Sequence, residues 1–387
     1  MTEEKKKSNV WMKVLGVGMA ACIIGNLGLA VYQIQSSAVS DKKVSKFIDK
    51  ELKRQAEESK KENEYQEDGY KVDDTYEIKS TTTISDAYLS GDSSKLSKED
   101  KQTLDMATKI LEKVTKDCKT DYEKEIAVYN WMYKNIGNGN SSSVTISNQV
   151  SDNYTPHGVL TGKDAVCVGY ATTFRLFMQM MEIDCHIVHN EYHSWDLVQL
   201  DDDQWYHLDI YSDVASGSQY QNFNMSDGTA RNRGHEWSAS SLPSAEGSLY
   251  SYPVQNAVQI KDIYSIPKQM KQALKKKKSG LYYRFKDKVT EEDMELANVL
   301  IDSMNTVLYG PKYNGDIDIT ASWYDDGEES YVLGIFFSYY GRQEESEASG
   351  EDSKAAKKLK KAIEEAFDVD LESLSNGEYG EYEAYEA

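Results

Sequence analysis

The chain has 387 residues, enough for two ordinary domains with appendages. Asp and Glu number 65 against 44 Lys and Arg, for a formal charge of −21. That balance argues against nucleic acid as the main partner, because phosphate binding needs a basic face. The four cysteines, Cys22, Cys118, Cys167 and Cys185, are too few and too scattered for a disulfide framework.

Residues 1–9 are polar and include Lys5-Lys6-Lys7. Val14 to Tyr32 is an almost unbroken apolar run, long enough to cross a bilayer. Residues 10–34 therefore read as a single transmembrane anchor, with 1–9 as a cytoplasmic tail and the rest of the chain outside. A cleaved signal peptide fits less well, since no small-x-small site follows. Met19-Ala20-Ala21-Cys22 resembles a lipoprotein box but lacks the polar tether that should come next. Residues 35–90 are charged, then rich in Thr, Ser and Asp, and read as a stalk or linker.

The first globular part is expected over 91–265. Ser97-Lys-Glu-Asp100 and Thr120-Asp-Tyr-Glu123 look like capping boxes. Behind them Leu104, Ala107, Leu111 and Val114, then Ile126, Tyr129, Tyr133 and Ile136, predict two amphipathic helices. Trp131 reads as core, and the Gly-, Ser- and Asn-rich stretch 137–156 as an exposed loop. From Tyr170, the apolar residues Tyr170, Phe174, Phe177, Met178 and Met181 predict a third helix with one buried stripe. A cap from the Gly162–Lys163–Asp164 turn would put Cys167 in its first turn. There, unpaired N–H groups and the positive dipole end favour thiolate over thiol. The plain alternative is a buried structural thiol.

Cys185 sits in an apolar strand and reads as a buried free thiol. His193–Leu200 and Gln204–Ile210 flank Asp201-Asp202-Asp203 and predict a hairpin. With a three-residue loop, odd positions face odd positions, so His193 and Asp209 share a face within reach of a hydrogen bond. An aspartate on one imidazole nitrogen leaves the other for a nucleophile's proton. Cys167, His193 and Asp209 are thus the expected catalytic residues. A metal reading of Cys185, His186, His189 and His193 is rejected, because strand spacing scatters them over both faces. No cofactor or metal is expected, and His157, His207 and His235 read as ordinary, with only His235 a candidate to line the site.

A small second α+β domain is expected over 266–369. It opens on the basic run Lys275-Lys276-Lys277-Lys278, then has a helix from Glu291 to Tyr309, two strands around Asp325-Asp326-Gly327, and a helix from Lys354 to Phe367. Residues 370–387 form an acidic tail expected to be disordered.

GVLTGKDAVCVGYATTF and HSWDLVQLDDDQWYHLDI resemble the core of the transglutaminase-like superfamily, especially its bacterial, papain-like members. The likeness covers roughly residues 100 to 252. It implies an α+β papain-like core in which Cys167 matches the nucleophile, His193 the base and Asp209 the orienting acid. Ser194 and Asp196 stand where the family usually has Ala and Asn, so an extra negative charge is expected near the site. The function implied is a membrane-tethered, outward-facing thiol enzyme cleaving or transferring at amide or peptide carbonyls, hydrolysis favoured. Its partners would be a protein or peptide substrate, with cell-wall peptide a candidate, and the membrane. The alternatives are a crosslinking transglutaminase and a non-catalytic surface module that binds peptide or glycan.

Overall fold

A computed structural model of the protein describes residues 70–72, 76–139, 153–238, 242–286, 288–326, 331–340 and 353–376. The chain divides into two units, Met1–Glu64 and Tyr65–Ala387. The first, which carries the expected anchor at 10–34, lies outside the described residues. Of the tail expected to be disordered over 370–387, Leu371–Ser375 is helical, capped by Asp370, and residues 377–387 lie outside the described residues. Among the described residues, no helix is long and apolar enough to cross a membrane.

Residues 70–90, read from composition as linker, form the antiparallel pair β1 (Tyr70–Val72) and β2 (Tyr76–Ile78) and the helix α1 (Thr82–Ser90). The strands are only three residues long, which is why no alternation marks them in the sequence. Next come α2 (Lys98–Val114) and α3 (Asp121–Asn135). The Thr120/Glu123 capping box forms in full, whereas Ser97 accepts the Asp100 N–H without the reciprocal bond to its own N–H. The buried face of α3 is Glu125, Val128, Tyr129 and Met132, so Tyr129 is core as expected while Ile126 and Tyr133 are half-buried. Trp131 is only partly buried, packed against the same core.

β3 (Gly137–Asn138) leads on to α4 (Pro156–Gly162), β4 (Asp164–Ala165) and then α5 (Cys167–Met180). The single stripe expected on α5 understates its burial. Every residue from Cys167 to Met178 is buried, and so is Met180. One side of α5 packs on the sheet of β5 (Cys185–His189), β6 (Ser194–Gln199) and β7 (Trp205–Leu208). Val166, Val168 and Ala171 meet Val72, Tyr76 and Ile78 of the N-terminal hairpin on another side. Even Arg175 is buried, its guanidinium donating to Thr81 Oγ1 at 3.0 Å and the Lys79 carbonyl at 2.8 Å.

The β5–β6–β7 sheet is antiparallel throughout. Asp196 pairs with Leu208, Leu197 with His207 and Gln199 with Trp205, the odd-with-odd register that a three-residue turn dictates. After β7 come α6 (Ile210–Ser216), α7 (Asp227–Asn232) and α8 (Tyr252–Gln255).

A second core surrounds a four-stranded sheet ordered β10-β11-β9-β8, from β8 (Val258–Ile260), β9 (Gly280–Phe285), β10 (Asp318–Asp325) and β11 (Tyr331–Ser338). Two of these strands, β8 and β9, were not read from the sequence. Leu333, Ile335 and Phe337 face α9 (Ile266–Lys275), α10 (Glu291–Tyr309) and α11 (Lys354–Phe367). Val332 and Phe336 face the other way, toward Tyr282, Tyr324 and Val254. Burial on both faces explains the unbroken apolar run of β11. Tyr220 stacks on Tyr252 at 3.6 Å.

Candidate active site

Cys167 is the first residue of α5, but the expected cap is absent. Gly162 and Lys163 end α4, with Lys163 in the left-handed region, and Asp164 pairs in β4. The residue before the helix is Val166, which offers no side-chain cap, and its N–H donates to the Asn153 carbonyl at 3.2 Å. The chain crosses so close here that a Cβ at Gly169 would lie 2.1 Å from that same carbonyl oxygen. The glycine two residues after the cysteine is therefore a packing requirement. Cys167 is 5% exposed and lies close enough to His193 to help raise the pKa of its imidazole.

His193 lies one residue before β6, in a turn rather than in the strand. Asn190 Oδ1 accepts the N–H groups of Tyr192 and His193, both at 2.9 Å. The Tyr76 hydroxyl meets the carbonyls of Asn190 and His193 at 3.0 and 3.1 Å and Ser194 Oγ at 2.6 Å. The imidazole lies over Trp195, centroids 5.5 Å apart at 24°.

Asp209 lies one residue past β7, where it caps α6. Its Oδ1 accepts the Ser212 N–H at 2.9 Å and its Oδ2 the Ser212 hydroxyl at 2.6 Å. The same Oδ2 is 2.6 Å from His193 Nε2 and 2.9 Å from His235 Nε2. Burial works against a charged His193, but the Asp209 carboxylate outweighs it, aided by Cys167, and lifts the imidazole to about 10. Burial likewise opposes a charged Asp209, yet the two histidines hold its carboxyl well below the ordinary range.

Of the three expected residues, His193 and Asp209 are joined directly at 2.6 Å, and Cys167 at the start of α5 lies near enough to influence the His193 imidazole. Another expectation is corrected. Asp196 lies on the opposite face of β6, its Oδ1 3.7 Å from Cys185 Sγ, and burial raises its carboxyl far above the ordinary value despite the charge of Arg175. That burial disfavours a charge on it, and its side chain points toward Cys185 in the core, away from His193. Cys185 is buried and free, as expected.

Sequence reasoning made His235 a candidate to line the site without tying it to Asp209, and did not register Tyr76. The signal for His235 was the Gly234-His235 pair, since Gly234 adopts φ +82 and turns the chain back after α7. Tyr76 carried no signal, being more than a hundred residues from the turn it holds. Among the described residues, His193, Asp209 and His235 are the group whose ligand atoms could hold a metal ion, within 4.8 Å of one another. Asp209 Oδ2 already meets His193, His235 and Ser212, which fits a hydrogen-bonded assembly better than a ligand awaiting an ion.

Residues 108–210 match the family model of the Transglutaminase-like superfamily. This transglutaminase-like region begins inside α2 and ends just past Asp209, leaving out His235 and the four-stranded sheet. No curated protein matches the chain. A solved structure described as "Crystal structure of a TGase" aligns at 19% identity and a TM-score of 0.25, over 32% of this chain and 35% of its own. The chain thus spans about a third of that structure's length, a likeness too slight to fix the fold.

Proposed function

We propose that the protein is a thiol enzyme acting on amide or peptide carbonyls through Cys167, His193 and Asp209. The observation that carries this is the His193 imidazole, tied through Nε2 to Asp209 at 2.6 Å, with the Cys167 thiol close beside it at the start of α5. The family match supports it, since that superfamily generally includes cysteine-dependent enzymes. An imidazole held protonated beside a sulfur favours a thiolate–imidazolium pair. The sulfur attacks the carbonyl carbon, forming a C–S bond. As the C–N bond breaks, His193 gives its proton to the departing amine and a thioester remains. Water, or a primary amine, then attacks the thioester while His193 takes its proton. The acid or new amide leaves and the thiol is restored. The backbone N–H groups that open α5 are the natural donors to the oxyanion.

Hydrolysis is the favoured outcome, with peptide as substrate and cell-wall peptide a candidate. The apolar run at 14–32 supports a membrane-tethered enzyme facing outward. Protease treatment of intact cells tests that placement, since an outward-facing domain is digested and a cytoplasmic one is spared. The chemistry is tested by incubating the protein with a glutamine-containing peptide, with and without a primary amine, and weighing the products. The proposal expects loss of ammonia or peptide cleavage, absent in Cys167→Ala. Amine incorporation would mark transfer instead of hydrolysis. No product, and no thioester on Cys167, favours a non-catalytic binding module.

A further inference from the structure

We propose that His235 is a positioning residue for this reaction: it holds the Asp209 carboxylate in the one orientation that serves His193. The inference rests on the thiol-enzyme reading above but concerns a residue outside the family match.

The bond from His235 Nε2 to Asp209 Oδ2 spans 2.9 Å between two buried side chains, 6% and 1% exposed. Ser212 fixes one edge of the carboxylate as part of the α6 cap. His235 comes from a different segment, the turn after α7, and reaches the same oxygen as His193. A carboxylate held only by Ser212 and His193 could tilt as the His193 proton moves. A further donor from an independent element opposes that tilt, and a buried acceptor keeps donors that water cannot replace.

His235 is itself firmly placed. Gly234 at φ +82 allows the reversal after α7. The His235 N–H donates to the Ala230 carbonyl at 3.0 Å, and ring Nδ1 faces that same oxygen at 3.3 Å. Its ring meets Trp195 edge-on, centroids 4.9 Å apart at 74°, while His193 lies over that indole. One tryptophan thus sets both imidazoles against one carboxylate oxygen. The segment is braced at its other end too, where Asp227 Oδ1 meets His207 Nε2 at 2.9 Å and accepts the Ala245 N–H at 3.1 Å. The Trp195 indole N–H donates to His207 Nδ1 at 3.0 Å and closes the frame. Such support is what holds a reacting group within the narrow tolerance that chemistry needs.

The test uses the full chain and 4-nitrophenyl acetate as acyl donor. The burst of nitrophenolate reports acylation of Cys167, and the steady rate reports attack of water, where His193 acts as base. His235→Ala is expected to slow the steady rate by about 10- to 100-fold, the scale of a small misplacement, with burst amplitude and kcat/KM little changed, since slower deacylation lowers kcat and KM together. His235→Gln, whose amide can still donate to Asp209, should recover to within about threefold of wild type. If His235→Ala does not fold, Gly234→Ala serves, because the strained φ displaces the ring without removing it. It should slow the steady rate in the same way. Turnover of His235→Ala within twofold of wild type, or His235→Gln as impaired as His235→Ala, overturns the positioning role. Neither result touches the underlying reading, which fails separately if Cys167→Ala and His193→Ala both keep wild-type turnover.

Discussion

His193 Nε2 lies 2.6 Å from Asp209 Oδ2, although neither residue belongs to a strand. They flank the β6–β7 hairpin, His193 one residue before it and Asp209 one residue after. The odd-with-odd register aligns the two exits on one face, and each exit is then locked by a different device. Asn190 and Tyr76 hold the His193 turn, and the α6 cap holds Asp209. The geometry follows from a rigid hairpin with two fixed ends.

Gly169→Ala should destabilise the fold and slow Cys167 chemistry together. The new Cβ meets the backbone oxygen of Asn153 at 2.1 Å, and backbone cannot yield as a side-chain tip can. A cost of about 1–3 kcal/mol is expected from such overpacking. Urea denaturation with Cys167 labelling on the same samples checks it. An alanine variant as stable and as reactive as wild type speaks against the close crossing.

Asp196→Asn should leave catalysis alone. The carboxyl is buried beside Cys185 on the far face of β6, where burial disfavours its charge, so its amide isostere leaves the site's contacts intact. Turnover within about twofold of wild type is expected, as for substitutions that touch none of the reacting groups. A loss of tenfold or more would show that the Asp196 carboxyl acts on the site after all.

Stability should fall as pH rises from about 5 to about 9. Burial pushes the carboxyls of Glu125 and Asp213 up to about 8, against the hydrogen bonds each receives from Asn224 and from Tyr129. The folded protein keeps these protons where the unfolded chain has released them, so stability declines between roughly pH 4 and 8. His193 adds to the trend. Its pKa is raised to about 10, so its contribution is complete below about 6.5 and is lost as pH rises through 10. Asp209, depressed, loses its contribution only in strong acid. Melting temperature against pH measures the sum. Glu125→Gln and Asp213→Asn should each flatten the slope between pH 5 and 8, whereas a melting temperature that climbs over that range contradicts the assignment.

Tyr76→Phe should loosen the His193 turn without touching the chemistry directly. Its hydroxyl serves Ser194 Oγ and the carbonyls of Asn190 and His193. Losing it should cost about 1–3 kcal/mol, since buried partners are left short. Steady-state kinetics with 4-nitrophenyl acetate should give a lower kcat at nearly constant KM. A variant that matches wild type in both would mean that the turn holds itself.

The three site residues were legible because each depends on local rules: a helix start for Cys167, a three-residue hairpin for His193 and Asp209. The hairpin register followed from parity alone. What escaped depends on distant chain. Asp196 looked like a site charge because sequence adjacency to His193 hides the alternation that sends its side chain into the core. The full burial of α5 was hidden because the β1–β2 pair that covers one side is short and sits in a polar, linker-like stretch. β8 was missed because it is only three residues long, and β9 because its apolar residues are set among tyrosines and an arginine just after a lysine run. His235 reaches Asp209 across a turn whose geometry no periodicity encodes.

The central claim is that His193 and Asp209 activate the sulfur of Cys167. The most direct measurement is the rate of alkylation by iodoacetamide at each cysteine, read by peptide mass mapping across pH in wild type and His193→Ala. Half-buried Cys118 serves as the internal reference. The account predicts that Cys167 reacts faster than Cys118 at neutral pH with little dependence on pH, and that His193→Ala makes it follow the titration of an ordinary thiol. Cys167 reacting no faster than Cys118, and unchanged in His193→Ala, would contradict it.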